Sequence, residues 1–162
     1  MAFRMSLEVD DWFKHVFKQG PIQTKFDLYY MCLLMGLATG RSERVRDAPE
    51  FVDSFVADYR AVQRLIIGLF ILAEMARMGL DLTDREEVRK LLNKYLEPAN
   101  PAHLREEGFT KLNEYAHAGY LAIATAYDQK PHHLETFLQW YGRELTQKLE
   151  ANPQMAVYLK PE

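Results

Sequence analysis

The sequence predicts an all-α fold, a single-domain bundle of about six helices around a long central apolar helix, over residues 1–162 with a short C-terminal tail at 153–162. Apolar residues recur at helical spacing along nearly the whole chain. No segment of strand length alternates between apolar and polar residues. Glycine, proline and capping residues separate these segments. A hydrophobic fraction of 48% in 162 residues fits one compact core and excludes intrinsic disorder.

The first two helices are bounded by clear start and stop signals. The first is expected over residues 7–19, because an apolar face recurs through this segment and Gly20-Pro21 then ends it. The second is expected to begin at Thr24, whose hydroxyl can accept a hydrogen bond from a first-turn amide, and to end before Gly40.

The central helix is expected over residues 48–78. Asp47-Ala48-Pro49-Glu50 has the composition of a helix start, and Gly79 marks the end. Inside it lies the most apolar stretch of the chain, Leu65–Ala73. A bilayer span needs about 20 such residues, so this stretch predicts a buried helix and no membrane association.

Three more helices follow. Thr83-Asp84-Arg85-Glu86 predicts a capping box at the start of a fourth helix, which runs to about Glu97. The fifth is expected over Phe109–Tyr127, and the last from Pro131 to about Asn152.

Charge and cysteine content narrow the class of protein and its compartment. A net charge of −3 and a pI of about 6.0 exclude a global cationic field of the kind that draws proteins to nucleic acid or anionic lipid. Cys32 is the only cysteine and lies in an apolar segment, which predicts a buried thiol in a reducing compartment. The N-terminal residues do not have the pattern of a signal peptide. The expected location is cytoplasmic.

The strongest candidate surface is a basic loop between the second helix and the central helix. It contains Arg41, Arg44 and Arg46, whose guanidinium groups could converge on a phosphate or on a partner's carboxylates. Arg60 and Arg64 lie one turn apart on the next helix and would extend the patch. A nucleic-acid contact is therefore predicted only as a local one, through this loop.

The alternative is that the loop is merely solvated. In that case Arg46 would pair with Asp47 or Glu50, and Glu43 would neutralise Arg44.

A second candidate surface is a protein interface formed by aromatic residues and the tail. Trp140 and Tyr158 are of the aromatic types that interfaces favour, and Tyr158 and Leu159 lie in an apolar segment beyond a helix stop. The expected partner is another protein or a second copy of the chain.

One short spacing suggests a metal site. Glu114 and His117 lie three residues apart and would share a helix face, the spacing used by di-iron helical bundles. A second Glu-x-x-His is absent from the sequence, and no nucleophile or phosphate-loop motif occurs. No cofactor is expected, and the enzyme case is weak.

These patterns leave three functional hypotheses. The leading one is a non-catalytic helical adaptor or accessory subunit of a cytoplasmic protein complex, including a complex that handles nucleic acid. The second is a metal-dependent helical-bundle enzyme that uses Glu114 and His117. The third is a regulator in which Met31, Met35, Met75 and Met78 line a cavity for an apolar ligand.

Overall fold

The computed structural model describes residues 1–155 and confirms the all-α class. Six α-helices and one 3-10 helix account for most of these residues, and the only sheet among them is a two-stranded antiparallel pair. The helices are α1 (Leu7–Phe13), α2 (Lys25–Thr39), the 3-10 helix (Ala57–Val62), α3 (Gln63–Met78), α4 (Arg85–Tyr95), α5 (Glu106–Ala126) and α6 (Leu134–Glu150). The strands are β1 (Phe3–Arg4) and β2 (Glu50–Val52).

Local signals fixed the bounds of α2 and the end of α3. The Thr24 hydroxyl accepts a hydrogen bond from the Asp27 amide, and the Asp27 carboxylate accepts one from the Thr24 amide, so a complete capping box begins α2. Gly40 and Gly79 end α2 and α3 in the left-handed conformation, both with φ of 69°. These three predictions are confirmed.

Helices α2 and α5 pack closely, with backbone against backbone. A Cβ atom on Gly119 would lie 1.7 Å from the Cys32 carbonyl oxygen, and one on Gly36 would lie 1.9 Å from the Tyr115 carbonyl oxygen. Backbone therefore meets backbone at both positions, which only glycine allows. The antiparallel pair of α2 and α5 forms the centre of the bundle.

The predicted central helix over residues 48–78 is wrong in its first half. Only Gln63–Met78 is α-helical, and Asp47 takes a φ of 54°, outside the helical region. Glu50–Val52 pairs instead with Phe3–Arg4 as β2. The start signals at Asp47–Glu50 were local, whereas the pairing partner lies about 46 residues earlier in the chain, so tertiary pairing overrode the local preference.

Helix α3 is also less central than its composition suggested. Ile66 and Phe70 are buried, but Leu65 is 60% exposed and Gly68 faces open space. The helix therefore buries one side against the core and leaves the other side open. No helix within residues 1–155 has both the length and the apolar character required to cross a bilayer.

Other predicted boundaries need smaller corrections. Helix α1 ends at Phe13 and not at residue 19, since turns follow and Lys18 has a φ of 69°. The predicted capping box at Thr83 is wrong, because the Thr83 hydroxyl donates to the Asp81 carboxylate and Asp84 caps α4 without a side-chain hydrogen bond. Helix α5 begins three residues earlier than predicted, and α6 begins at Leu134, three residues later.

The N-terminal strand supplies a core residue that the sequence pattern did not reveal. Phe3 is fully buried, and its ring meets four other rings edge-on at centroid distances of 5.1–5.3 Å, those of Phe26, Tyr29, Phe55 and Phe109. Such edge-on aromatic pairs add stabilisation beyond burial alone. This cluster fixes β1 against α2 and α5, at the floor of the cleft described next.

Candidate binding cleft

Two of the predicted loop arginines line a cleft of about 400 Å³ together with a third arginine from β1. Arg44 and Arg46 come from the loop after α2, and Arg4 comes from β1. Residues of α5 form the other wall. The full lining is Met1, Ala2, Arg4, Arg44, Val45, Arg46, Glu106, Phe109, Thr110, Asn113 and Glu114.

Backbone hydrogen bonds hold the loop in place on both sides of the arginines. The Glu43 amide donates to the Glu114 carbonyl oxygen of α5 at 3.0 Å, and the Met5 amide donates to the Pro49 carbonyl oxygen at 3.3 Å. Because these bonds anchor both ends, Arg44 and Arg46 project from a tethered loop.

The side chains of Arg44 and Arg46 are exposed and form no hydrogen bond or ion pair with any residue in the described range 1–155. The alternative pairing of Arg46 with Glu50 is not observed, because the Glu50 carboxylate binds Arg4. Two cationic groups are therefore available at one cleft.

Arg4 is held more firmly than the loop arginines. Its guanidinium group donates to the Ala48 carbonyl oxygen at 3.1 Å and forms an ion pair with Glu50. Arg4 therefore ties the end of the basic loop to β1, and its charge at the cleft wall is paired with that of Glu50.

Asn113 forms a rigid polar floor beneath the cleft. Its side-chain oxygen accepts hydrogen bonds from the Arg4 amide at 3.0 Å and from the Tyr29 hydroxyl at 2.8 Å, and its side-chain nitrogen donates to the Ala2 carbonyl oxygen at 3.1 Å. Asn113 is buried, and these three bonds join β1, α2 and α5. Nothing in the local sequence predicted this role, since its partners lie 84 to 111 residues away.

The opposite wall of the cleft is acidic. Glu106 is exposed, and Glu114 forms an ion pair with Lys111 at 2.6 Å. Arg4, Arg44 and Arg46 thus face two carboxylates across a space in which Met1 is exposed and the buried Phe109 contributes to the lining. The cleft has mixed charge with an apolar portion, and is not a purely cationic groove.

The other predicted arginines lie elsewhere. Arg41 lines a separate groove of about 730 Å³ next to the end of α6. Arg60 belongs to the 3-10 helix and Arg64 to α3, and neither lines either cavity. The structure therefore divides the predicted patch and joins Arg44 and Arg46 to Arg4.

The metal hypothesis has no third ligand in the part of the chain that the structure describes. No group of three or more His, Cys, Asp or Glu side chains there is placed to hold a metal ion. Glu114 faces the arginine cleft, and its carboxylate is bound to Lys111. His117 instead lines a small adjoining space together with Val45.

The predicted interface residues differ in their placement. Trp140 is partly buried on α6, with its ring 4.8 Å from that of Tyr127 and 5.9 Å from that of Phe137. Tyr158 and Leu159 lie outside the described residues. The methionines of the third hypothesis line neither cavity, and Met35 and Met75 are buried in the core.

A buried carboxylate that sequence reasoning did not single out lies where α3, α4 and α5 meet. Glu74 is fully buried and accepts hydrogen bonds from Tyr115 at 2.7 Å, from Tyr95 at 2.9 Å, and from two nitrogens of Arg77. Burial alone would raise the pKa of Glu74, but the bonds from Arg77, Tyr115 and Tyr95 outweigh it, and the net pKa is lowered. We call these four residues the Glu74 cluster.

The Glu74 carboxylate is closed to a ligand, because it is fully buried and its hydrogen bonds are all made within the protein. Burial, and then the hydrogen bond to Glu74, raise the pKa of Tyr95 and of Tyr115. No buried side-chain polar atom among residues 1–155 lacks a hydrogen-bond partner. The cluster joins α3, α4 and α5, and its role is structural.

The thiol of Cys32 is buried as predicted, and burial raises its pKa. A thiol in this state is a poor nucleophile.

Comparison with family models, with curated proteins and with solved structures gives no match to this chain. The cleft geometry alone therefore supports the functional argument.

Proposed function

We propose that this chain is a non-catalytic helical adaptor that binds a protein partner through the cleft formed by Arg4, Arg44 and Arg46. The observation that carries the proposal is that Arg44 and Arg46 project, without partners in residues 1–155, into a cleft whose floor and rim are fixed by hydrogen bonds. Guanidinium groups held in this way bind carboxylates with two parallel hydrogen bonds.

The mixed charge of the cleft favours a protein segment over a nucleic-acid backbone. A nucleic acid offers one phosphate after another and no positive group for Glu106, so this exposed acid would repel it. A protein segment can present a carboxylate to the arginines, a basic side chain to Glu106, and an apolar side chain to the exposed Met1. The net charge of −3 for the whole chain points the same way.

The location belongs to the same proposal. A single buried thiol needs no oxidising environment, so a cytoplasmic complex remains the setting we propose for the adaptor.

The test is recovery of partners by the tagged full-length chain and by a charge-reversal variant. Arg44→Glu combined with Arg46→Glu should abolish recovery of the specific partners, measured by quantitative mass spectrometry after nuclease treatment. The reversal turns attraction into repulsion at the cleft while breaking no hydrogen bond or ion pair within residues 1–155.

The matched control is Arg85→Glu combined with Arg89→Glu. These arginines are exposed on α4, distant in sequence from the cleft lining, and their reversal changes the net charge equally. Partners should be retained by this control. Equal loss in both variants, or loss of all partners on nuclease treatment of the unmodified chain, would refute the proposal.

A further variant measures how far the surface extends. Arg60→Glu with Arg64→Glu should leave recovery unchanged, since neither arginine lines the cleft. Loss of partners in this variant would place the binding surface on α3 instead.

A further inference from the structure

The larger groove of the molecule lies along the outer face of α5. It has a volume of about 730 Å³ and is bounded by the C-terminal end of α2, by α5 and by the end of α6. Its lining is Thr39, Arg41, Glu43, Ala118, Leu121, Ala122, Thr125, Ala126, Lys148, Ala151, Asn152, Pro153 and Gln154.

The floor of this groove is apolar. Ala118, Leu121 and Ala122 form consecutive turns of α5, and Leu121 is 39% exposed, one of the few large apolar side chains in residues 1–155 left this open. Glu43 and Arg41 at one margin and Lys148 at another supply charges of both signs.

The chain itself leads to the rim of this groove. The Asn152 side-chain nitrogen donates to the Ala38 carbonyl oxygen at 3.1 Å, and its side-chain oxygen accepts from the Met155 amide at 3.4 Å. Pro153 and Gln154 line the groove, and Met155 is buried. The described part of the chain therefore ends beside the groove.

The residues that follow have matching chemistry. Val157, Tyr158 and Leu159 are apolar, and Lys160 and Glu162 carry opposite charges. Three residues beyond Met155 reach about 10 Å at about 3.3 Å per residue. The groove runs about 12 Å along α5 from Ala118 to Ala126 at 1.5 Å per residue. The reach of this segment is thus comparable to the length of the groove.

We propose that residues 156–162 dock in this groove, with Tyr158 and Leu159 covering Leu121 and Ala122. Lys160 and Glu162 then meet Glu43 and Lys148 at the margins. Because the groove is then filled by a segment of the same chain, it is not available to a partner. The partner-binding surface remains the arginine cleft. The inference does not depend on the proposed function.

The first test is cross-linking in the full chain. Ala122→Cys with Leu159→Cys, treated with a short bis-maleimide, should give a high yield of intramolecular cross-link, read by mass spectrometry. Cys32 does not compete, because its thiol is buried. The control pair is Thr146→Cys with Leu159→Cys, in which Thr146 is exposed and lines a different depression on α6.

The outcomes are distinguishable. A preference of about tenfold for the Ala122 pair supports docking in the groove. Equal yields in the two pairs would show an undocked segment, and a predominantly intermolecular product would show that a second copy occupies the groove. Either result overturns the proposal.

Hydrogen exchange provides an independent measurement. Amides of residues 157–160 should exchange at least about tenfold more slowly than in a free peptide of this sequence. Leu121→Glu should remove that protection, whereas Leu82→Glu, at an exposed leucine before α4, should not. Unprotected amides in the unmodified chain would contradict docking.

Discussion

Helix α5 packs against the α2 backbone on one face and lines open cavities on the other. Polar groups on the first face are hydrogen-bonded inside the protein, whereas the second face borders charges that remain open to solvent. Toward the core, Gly119 admits the α2 backbone, and the Tyr115 hydroxyl is used by Glu74. Toward the cleft, Glu114 faces Arg44, which has no partner in residues 1–155. Buried polar groups must be satisfied internally, whereas an exposed charge costs little and stays available to a partner. Stability should therefore depend on one face and binding on the other.

The largest loss of stability is expected from Gly119→Ala. Its new Cβ would meet the Cys32 carbonyl oxygen, so α2 and α5 must separate, and the free energy of unfolding should fall by about 3 kcal/mol or more. Urea denaturation measures the change. Gly142→Ala on α6, whose Cβ would meet nothing within 4 Å, should instead gain about 0.5–1 kcal/mol. Equal effects at the two glycines would contradict the close packing of α2 and α5.

A comparable loss is expected from Glu74→Ala. The buried hydroxyls of Tyr95 and Tyr115 would lose their acceptor, and Arg77 its counter-ion, so we expect a loss of about 3–5 kcal/mol. Glu87→Ala, at an exposed carboxylate paired with Lys90, should stay within about 0.5 kcal/mol. A small effect at Glu74 would mean that the cluster is not a structural support.

A moderate effect is expected in the pH dependence of stability. The pKa of Glu74 is lowered from 4.5 in the folded state, so its contribution is fully present above about pH 4.5 and is lost as the pH falls through the lowered folded value. Glu74→Gln should therefore make the acid-side slope of unfolding free energy against pH shallower. Urea titrations between pH 2 and 6 would measure this, and an unchanged slope would contradict it.

The smallest change in stability is expected on the cleft face. Arg44→Ala with Arg46→Ala should alter the free energy of unfolding by less than about 0.5 kcal/mol, because both side chains are exposed and neither forms a hydrogen bond or ion pair within residues 1–155. Urea denaturation beside the unmodified chain checks this. A loss above about 1.5 kcal/mol would show that the arginines support the fold, and would remove the contrast between the two faces.

The sequence predicted correctly those helix ends that depend only on interactions between neighbouring residues. The cap at Thr24 and the left-handed ends at Gly40 and Gly79 need only neighbouring residues, and each was confirmed. The helix expected from residue 48 failed because β2 pairs with β1, a contact that no local pattern encodes.

The arginine cleft was predictable only in part, because local patterns reveal the loop but not the partners that distant elements supply. The density of arginines after α2 identified the loop, but not which of them converge, and Arg4 joined them only through the β1–β2 pairing. Asn113 and Glu74 were missed because their roles come from partners on distant elements. A single polar residue in a helical pattern has no signal that separates a solvated side chain from a buried one.

The most direct test of the arginine cleft is photo-cross-linking from inside it. A benzophenone amino acid at Thr110, which is exposed and lines the cleft, should form a covalent adduct with a partner protein in cells, and Arg44→Glu with Arg46→Glu should abolish that adduct. The same probe at Thr146, on the exposed side of α6, should give none. Adducts of equal yield at both positions, or an adduct at Thr110 that survives the charge reversal, would contradict the assignment of this cleft as the binding surface.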